Sequence, residues 1–503
     1  MKNGFVYLVG AGPGDPGLIT VKALQALSAA DCIIYDYLAN ASLLRNYACE
    51  KIYVGKQGGD HTLPQNEIND LLVCKAREGR VVVRLKGGDP YIFGRGGEEA
   101  EDLAAAGIPF CVVPGVSSFY AAPAYAGIPL THRDCANAFE VITGHRRGDA
   151  ADDEDINFPA YDPFRSYVFL MGMKHIARIA AALITDRHFP ADTPAAVIAW
   201  GTRPEQHTVT GTLATLADEV KKEGMRPPAV IVVGRVVLLR DKLRWFDRLP
   251  LFGKSIVVTR TRAQASSLCR KLAAQGARVI ELPALEIRES DDMAPLCAAI
   301  ERIESYGWIV FTSQNAVTIF FRHLFAVGRD ARCLGKCRIA VIGRATGDEL
   351  LKFGLRPDVV PQQFVAESLL EALDNEPLAG TRVLLPCSAD ARDVLFEGLK
   401  SRGASVERIH IYCSEKPAPV AAAVLEDVHN ADMITFASSS TVRHFFEMVS
   451  ETRAVSASIG PVTSATLREL GREPVVEAAE YTIDGLVQAI VAWYRDTAEG
   501  GTP

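Results

Sequence analysis

The sequence has no C-x-x-C motif, no apolar run long enough to cross a membrane and no surplus of positive charge, and each lack removes a class of function. Its eleven cysteines are scattered and odd in number, and Cys333 and Cys337 of "CLGKC" have no second pair at metal-ligand spacing. Buried, reduced thiols are therefore expected rather than disulfides or a zinc site. His132 and His145 lack a ligand partner at metal spacing, so no metal is expected. Nothing approaches the roughly 18 apolar residues of a membrane span. The start, "MKNGFVYLVGAG", has too short an apolar run for a secretory leader. A cytoplasmic setting with no membrane partner is the expectation. A formal net charge of -7 argues against a general nucleic-acid binder, while leaving room for a local basic pocket.

What is present is a long chain rich in apolar residues. With 503 residues, 48% of them hydrophobic, two or three domains are expected, because single cores stop growing near about 250 to 300 residues. From residue 4 to about 240, strand-like runs alternate with helical patterns: "FVYLVG", "DCIIYDY", "KIYVG", "RVVVRLKGGD", "FCVVPG", then "FEVITGH", "SYVFLMG", "PAAVIAWG" and "AVIVVGRVV". Such alternation implies an α/β architecture. Between the two sets the acidic run "RRGDAADDEDINFPAYDP" reads as a solvated connector. The pattern restarts after Pro250 and Gly253, which puts a boundary between about 241 and 253. The second half repeats itself: "WIVFTSQNAVTIFF" is echoed by "MITFASSSTVRHFF", and "IAVIGRATGDELLKFG" by "SASIGPVTSATLRELG". Each repeat is a strand, a hydroxyl-rich turn and a helix, so two similar α/β lobes with a ligand cleft are expected. The alternative is a duplication that serves folding alone.

The stretch "LVGAGPGDPGLIT" imitates a dinucleotide-binding turn but departs from it. The glycines fall at 10, 12 and 14, and Asp15 stands where a third glycine belongs. Pro13 and Pro16 carry no N–H, so fewer amides are left for an anion. A ligand that needs close backbone approach but carries no phosphate fits better, and S-adenosylmethionine (SAM) is such a ligand. Three further clusters join it at strand ends: "RLKGGDPYIFGRGGEEAEDL", "VVPGVSSFYAAPAYAGIPLTHRD", and the pair "DCIIYDYLAN" and "KIYVGKQ" with Asp36 and Lys56. Ligands of open α/β sheets collect outside the carboxyl ends of strands.

Taken in order and spacing, these motifs, with "VFLMGM" and the tract around "AWGTRPEQ", make residues 4 to about 245 resemble the uroporphyrinogen-III C-methyltransferase family within the tetrapyrrole methylases. The resemblance implies SAM contacts at Pro13, Gly87, Gly88, Asp89, Ile92, Ser117, Ser118, Met171 and Gly201. It maps the family's acid and base positions onto Asp36 and Lys56, with Asp36 as the base that takes a proton from the methylated macrocycle and Lys56 as donor or electrostatic partner. Where the family commonly has Thr-Ala, this chain has Ser117 and Ser118. Arg84, Lys86, Arg95 and Arg133 are candidates for substrate carboxylates, the alternative being structural ion pairs. A homodimer through this domain is also implied.

Residues 254 to about 495 resemble uroporphyrinogen-III synthase through "VVTR", "FTSQNAV", "VIGRAT", "FASSSTV", "SIGPVTSATLRELG" and Tyr412 in "HIYCSE". That resemblance marks Thr259, Ser313, Thr346, Ser438 and Thr463 as substrate contacts, with turn capping as the alternative for each. Tyr412 is the candidate acid for the departing hydroxyl of the bilane, or else a packing residue between lobes. Lobes of about 254–288 plus 413–495, and 289–412, are expected.

The resulting expectation is a bifunctional enzyme of two domains, 1–245 and 254–495. The first is a two-lobed tetrapyrrole-methylase fold and the second a pair of internally duplicated parallel α/β lobes. The carboxyl half would cyclise hydroxymethylbilane to uroporphyrinogen III, and the amino half would methylate it twice with SAM to precorrin-2, on the sirohaem or cobalamin route, with the later sirohaem steps lying elsewhere. The rival is a later precorrin methylase fused to a non-catalytic tetrapyrrole-binding module.

Overall fold

Every apolar run quoted from the first half forms a strand in the computed structural model, which describes residues 4–44, 47–55, 63–144, 157–259, 262–284, 286–361, 366–415, 422–449 and 451–499. The chain divides into two units, residues 1–255 with 271–278 and 494–503, and residues 256–270 with 279–493. In the first unit, β1 (Phe5–Gly10), β2 (Cys32–Tyr35), β3 (Glu50–Tyr53), β4 (Val81–Lys86) and β5 (Phe110–Val113) form a sheet in the order β3-β2-β4-β1-β5. All neighbours are parallel. Both faces are covered, which is why "CIIY" and "VVVRLK" read as nearly continuous apolar runs. Val6, Leu8, Ile34 and Val82 pack into one core, and Val9, Ile33, Val83 and Leu85 into another.

A second sheet of this unit holds β6 (Ala138–Thr143), β7 (Arg165–Leu170), β8 (Pro194–Ala199), β9 (His207–Thr212) and β10 (Ala229–Val233), in the order β6-β7-β10-β8-β9. Only β6 and β7 run parallel. Strand β9, "HTVTGT", escapes a search for apolar runs. It lies at a sheet edge against β8, and threonine favours a strand through its branched Cβ without needing an apolar environment on both faces. Residues 145–156, most of the expected acidic connector together with His145, lie outside the described residues.

The second unit contains two five-stranded sheets. Its strands are β11 (Ser255–Val258), β12 (Arg278–Glu281), β13 (Glu286–Glu289), β14 (Trp308–Phe311), β15 (Arg338–Val341), β16 (Arg382–Ser388), β17 (Ser405–Glu415), β18 (Met433–Phe436), β19 (Val455–Ser458) and β20 (Pro474–Glu477). The sheet orders are β12-β11-β18-β19-β20 and β13-β17-β16-β14-β15. The chain passes from one sheet to the other between Glu281 and Glu286 and returns between Glu415 and Met433. The first crossing precedes the expected 288 and the second follows the expected 413, because β13 pairs antiparallel with the end of β17, Glu289 facing Tyr412 and Glu286 facing Glu415, which places residues 286–288 and 413–415 in the second sheet. Against the second of these sheets, Phe320 and Phe321 of the helix Gln314–Ala326 are wholly buried with Phe311, Ile309 and Leu384 of the strands.

Three loop backbones of the first sheet meet with no room for a side chain. A Cβ on Gly115 would lie 2.2 Å from the Gly88 carbonyl oxygen and 2.7 Å from the Gly10 Cα, and one on Gly10 would lie 2.5 Å from both the Gly115 Cα and the Gly88 oxygen. We therefore expect Gly115→Ala to cost about 1–3 kcal/mol through overpacking. Urea unfolding followed by circular dichroism would measure the loss; an unchanged midpoint would mean that the loops part without cost.

Candidate functional site

The opening glycine loop is not an anion cradle. Gly12 N–H donates to the Gly88 carbonyl (3.2 Å), Gly88 N–H to the Gly12 carbonyl (2.7 Å) and Ala11 N–H to the Lys86 carbonyl (2.7 Å), so these amides are spent between strand ends. Gly12 and Gly88 take φ of 81° and 67°, the left-handed region in which a side chain is disfavoured. Asp15 fastens the loop instead of repelling a ligand. Its carboxylate accepts from Gly17 N–H (2.7 Å) and from the Tyr125 hydroxyl (2.7 Å), while its own N–H donates to Thr202 Oγ1 (3.0 Å). Burial and that carboxylate push the Tyr125 phenol far above the ordinary tyrosine range.

Beyond the Gly12–Gly88 bridge lies a cavity of about 410 Å³, within the size range of small-molecule sites. Pro13, Gly87, Gly88, Ser118, Met171 and Gly201 line it, six of the nine positions expected to meet a cofactor. The other three are placed around it. Asp89 braces two loops, accepting from Tyr91 N–H (2.8 Å) and Gly115 N–H (3.0 Å). Ser117 is buried at the start of the helix Ser118–Tyr125, and Ile92 is exposed beside Phe93.

Several wall residues were not anticipated: Tyr37, Leu38, Phe93, Lys174, Trp200 and Arg203. Tyr37 and Leu38 follow β2 directly, so the strand-end rule that selected Asp36 also reaches them. Phe93, Met171 and Trp200 have φ of 52°, 57° and 50°. A non-glycine residue there is strained, and such strain concentrates at binding sites. Single-residue backbone angles leave no periodic mark in a sequence. The Arg203 guanidinium lies 5.0 Å over the Trp200 ring, and burial lowers its proton affinity.

Asp36 lies at the edge of this site, its side chain 22% exposed. One carboxylate oxygen accepts from Leu38 N–H (3.1 Å) and the other from Arg84 Nη2 (3.1 Å). Lys56 lies outside the described residues. Arg84 and Lys86 do not reach outward to substrate carboxylates as anticipated. Both alternate inward along β4, are almost wholly buried, and meet Oε1 of Glu99, through Arg84 Nε at 3.2 Å and Lys86 Nζ at 2.7 Å. Desolvation explains the difference, since buried cations need buried counter-charges. Burial and the neighbouring Arg84 pull the Lys86 ammonium below the usual lysine range, against the pull of Glu99. Arg95 is exposed and paired with Glu98 (2.7 Å), and Arg133 is exposed.

In the second unit, the structure brings Ser313 and Tyr412 together. Their hydroxyls share a hydrogen bond of 2.8 Å, and Ser313 Oγ also accepts from Ala316 N–H (3.1 Å), capping the helix Gln314–Ala326. Tyr412 is 7% exposed, and burial raises its phenol above the ordinary value, opposed by Ser313. It borders a smaller cavity of about 210 Å³ with Arg288, Glu289, His410 and Cys413. Thr346 is buried in the helix Arg344–Leu351, next to that of Ser313; Gln314 Nε2 donates to the Ala345 carbonyl at 3.1 Å.

Ser438 repeats the role of Ser313 in the other sheet, accepting from Thr441 N–H (3.3 Å) to cap the helix Ser439–Met448. Thr463 is buried in the neighbouring helix Pro461–Glu469. Thr259 is wholly buried and its hydroxyl donates to the Thr435 carbonyl (2.8 Å), while Thr435 donates to the Val257 carbonyl (3.0 Å). The Thr259 hydroxyl is thus wholly buried and spent within the sheet, so the expected substrate contact at Thr259 is corrected to a strand-end stitch. Among the described residues, no group of three or more His, Cys, Asp or Glu is placed to hold a metal ion, and no helix is long and apolar enough to cross a membrane.

Two family profiles match the chain: tetrapyrrole (corrin/porphyrin) methylases over residues 6–217 and uroporphyrinogen-III synthase HemD over residues 266–488. The chain is 36% identical over 501 residues to a porphyrin biosynthesis protein HemD of Ruminiclostridium josui, with 98% of each chain covered. It is 42% identical over 357 residues to a uroporphyrinogen-III C-methyltransferase of Bacillus subtilis (strain 168), covering 70% of this chain and 72% of that one. A crystal structure of a uroporphyrin-III-C-methyltransferase from Thermus thermophilus shares 42% identity over 48% of this chain and 97% of its own, with a TM-score of 0.41. The chain belongs to the family in which a tetrapyrrole methylase is fused to a HemD-like uroporphyrinogen-III synthase.

The Asp15 latch is open to test. Asp15→Ala leaves the Tyr125 hydroxyl and Gly17 N–H without their acceptor and is expected to cost about 1–3 kcal/mol. Tyr125→Phe in that background should then add little, and a double-mutant cycle by urea unfolding reads the coupling. Fully additive losses would show that the pair does not act as one contact.

Proposed function

We propose that this chain makes uroporphyrinogen III from hydroxymethylbilane with its carboxyl half, residues 254–495, and methylates it twice to precorrin-2 with its amino half, residues 1–245. The observation that carries the reading is the cavity at the carboxyl ends of β1 and β4, floored by backbone and set beside Asp36. Its lining suits SAM. Glycines 12, 87, 88 and 201 let backbone lie flat against a ligand, and a Cβ on Gly87 or Gly201 would strike Leu38 or Ala122 at 2.5 or 2.2 Å. Tyr37, Phe93 and Trp200 offer aromatic walls to a sulfonium cation. Pro13, Gly87, Gly88, Ser118, Met171 and Gly201 would hold it, with Asp89, Ile92 and Ser117 supporting the loops.

When bound, SAM supplies a methyl group already activated on sulfur, so transfer to a ring carbon is a matter of alignment. The chain's own residues then have three tasks. The apolar wall excludes water, Lys174 and Arg203 at the lining offer charge to carboxylates, and Asp36 takes the proton that leaves the methylated macrocycle. Lys56 belongs to this assignment as donor or electrostatic partner. Arg95 and Arg133, both exposed, complete the candidate contacts for substrate carboxylates.

For the carboxyl half, Tyr412 is assigned as the acid for the departing hydroxyl. The support is its hydrogen bond to Ser313 and a raised phenol that keeps its proton at neutral pH. Ser313, Thr346, Ser438 and Thr463 are assigned to the substrate's carboxylates. The paired serine caps, Ser313 on Ala316 and Ser438 on Thr441, support reading the two sheets as duplicated lobes. A cytoplasmic homodimer feeding the sirohaem or cobalamin route completes the proposal.

Anaerobic incubation of the full chain with hydroxymethylbilane and SAM, followed by mass and isomer analysis, is expected to yield dimethylated type III product. Unmethylated type III product would remove the methyltransferase assignment, and type I isomer would remove the synthase assignment. Tyr412→Phe should slow cyclisation by roughly 10²-fold while leaving methylation of added uroporphyrinogen III intact; cyclisation at the native rate would reduce Tyr412 to a packing residue.

A further inference from the structure

Glu99 is wholly buried, takes no part in the cavity wall, and yet gathers three donors on a single oxygen: Arg84 Nε (3.2 Å), Lys86 Nζ (2.7 Å) and Gln65 Nε2 (3.1 Å). Its other oxygen, Oε2, is buried without a hydrogen-bond partner. An ionised carboxylate in such a place is costly unless its attraction to nearby cations offsets the loss of water. The arrangement continues in both directions. Gln65 Nε2 also donates to Asn69 (2.9 Å), which donates to Asp102 (2.6 Å). Arg84 is pinned on its far side by the Leu85 carbonyl (3.1 Å) and the Ile34 carbonyl (3.5 Å), leaving Nη2 aimed at Asp36 (3.1 Å).

From this geometry we infer that Glu99 is a positioning residue for methyl transfer: it fixes the Arg84 guanidinium, and through it the orientation and basicity of the Asp36 carboxylate. The inference rests on the reading of Asp36 as the base. Arg84 cannot swing toward solvent, because it is 3% exposed and held at both ends. Asp36 therefore accepts from a donor whose direction is set before any ligand arrives, the kind of preorganisation that a proton acceptor in a catalytic site needs.

Charge balance gives the inference a sign. The cluster holds two cations, Arg84 and Lys86, and two anions, Glu99 and Asp36. Asp36 also faces the phenols of Tyr37 and Tyr53, both raised by burial and by Asp36 itself, so neither titrates on the acid side of neutrality. Glu99 also feels the exposed Arg95. Removing the Glu99 charge leaves two buried cations, Arg84 and Lys86, facing the negative charge of Asp36 without a second carboxylate to share them. Removing the Lys86 charge does the reverse.

The test is the pH dependence of kcat/KM for methylation of uroporphyrinogen III by the full chain. Glu99→Gln should move the acid limb about one pH unit lower and reduce the plateau roughly tenfold, and Lys86→Met should move the limb higher. KM for SAM should hold within about twofold, since Glu99 does not line the cavity. The double variant restores charge balance and should bring the limb back toward its native position, which keeps the test open if Glu99→Gln alone folds poorly. An acid limb unmoved in every folded variant, or moved the same way by both single substitutions, overturns the inference. Failure of the wild-type chain to methylate would instead overturn the reading on which it rests.

Discussion

The mutual approach of two glycine backbones governs the first unit. Gly12 and Gly88 bond each other reciprocally, and Gly10 and Gly115 close around them at distances that exclude any Cβ. Loops that would otherwise be separate are thereby joined into a continuous strip of backbone across the sheet end. The strip offers a floor of backbone whose Ala11, Gly12 and Gly88 amides are already paired, so it suits a ligand held by shape better than one held by phosphate. Asp15, which looks like a defect in a nucleotide loop, has its charge satisfied by Tyr125 and Gly17 and acts as a fastening.

The two units are built differently at their candidate sites. The first uses close backbone, aromatic walls and a buried group of ions behind the site. The second presents serine at the amino ends of helices, Ser313 and Ser438, where each hydroxyl satisfies an N–H that the helix leaves unpaired. Helix amino ends also carry partial positive charge, which suits a substrate bearing many carboxylates. Tyr412 stands apart from these caps: its hydroxyl joins one of them, that of Ser313, to a cavity wall.

Much of this was legible in the sequence because it depends on residue type at a strand end. Buried parallel strands announce themselves as apolar runs, and glycines and serines just beyond them mark where a chain turns at a ligand. Strand β9 was missed because its threonines are polar to a hydropathy reading yet favour extended backbone. For Arg84 and Lys86 the structure takes the alternative reading, structural ion pairs, for a related reason. Sequence gives their charge but not their direction, and β4 turns both of them inward onto Glu99, more than ten residues further along. Trp200 and Phe93 lie inside the motifs "AWGTRPEQ" and "PYIFGR" but carry no mark of their own, since they reach the cavity through backbone angles that no spacing rule encodes.

Those left-handed residues bear on how the protein would respond to selection for stability. At Phe93, Met171 and Trp200 glycine would relieve backbone strain on the order of 1–3 kcal/mol per site. A library screened only for heat resistance would thus be drawn toward glycine at these three positions, and each such gain would remove a piece of the cavity wall. Thermal tolerance and ligand retention are set against each other at the same backbone angles, so a stabilised form of this enzyme has to be sought elsewhere in the chain.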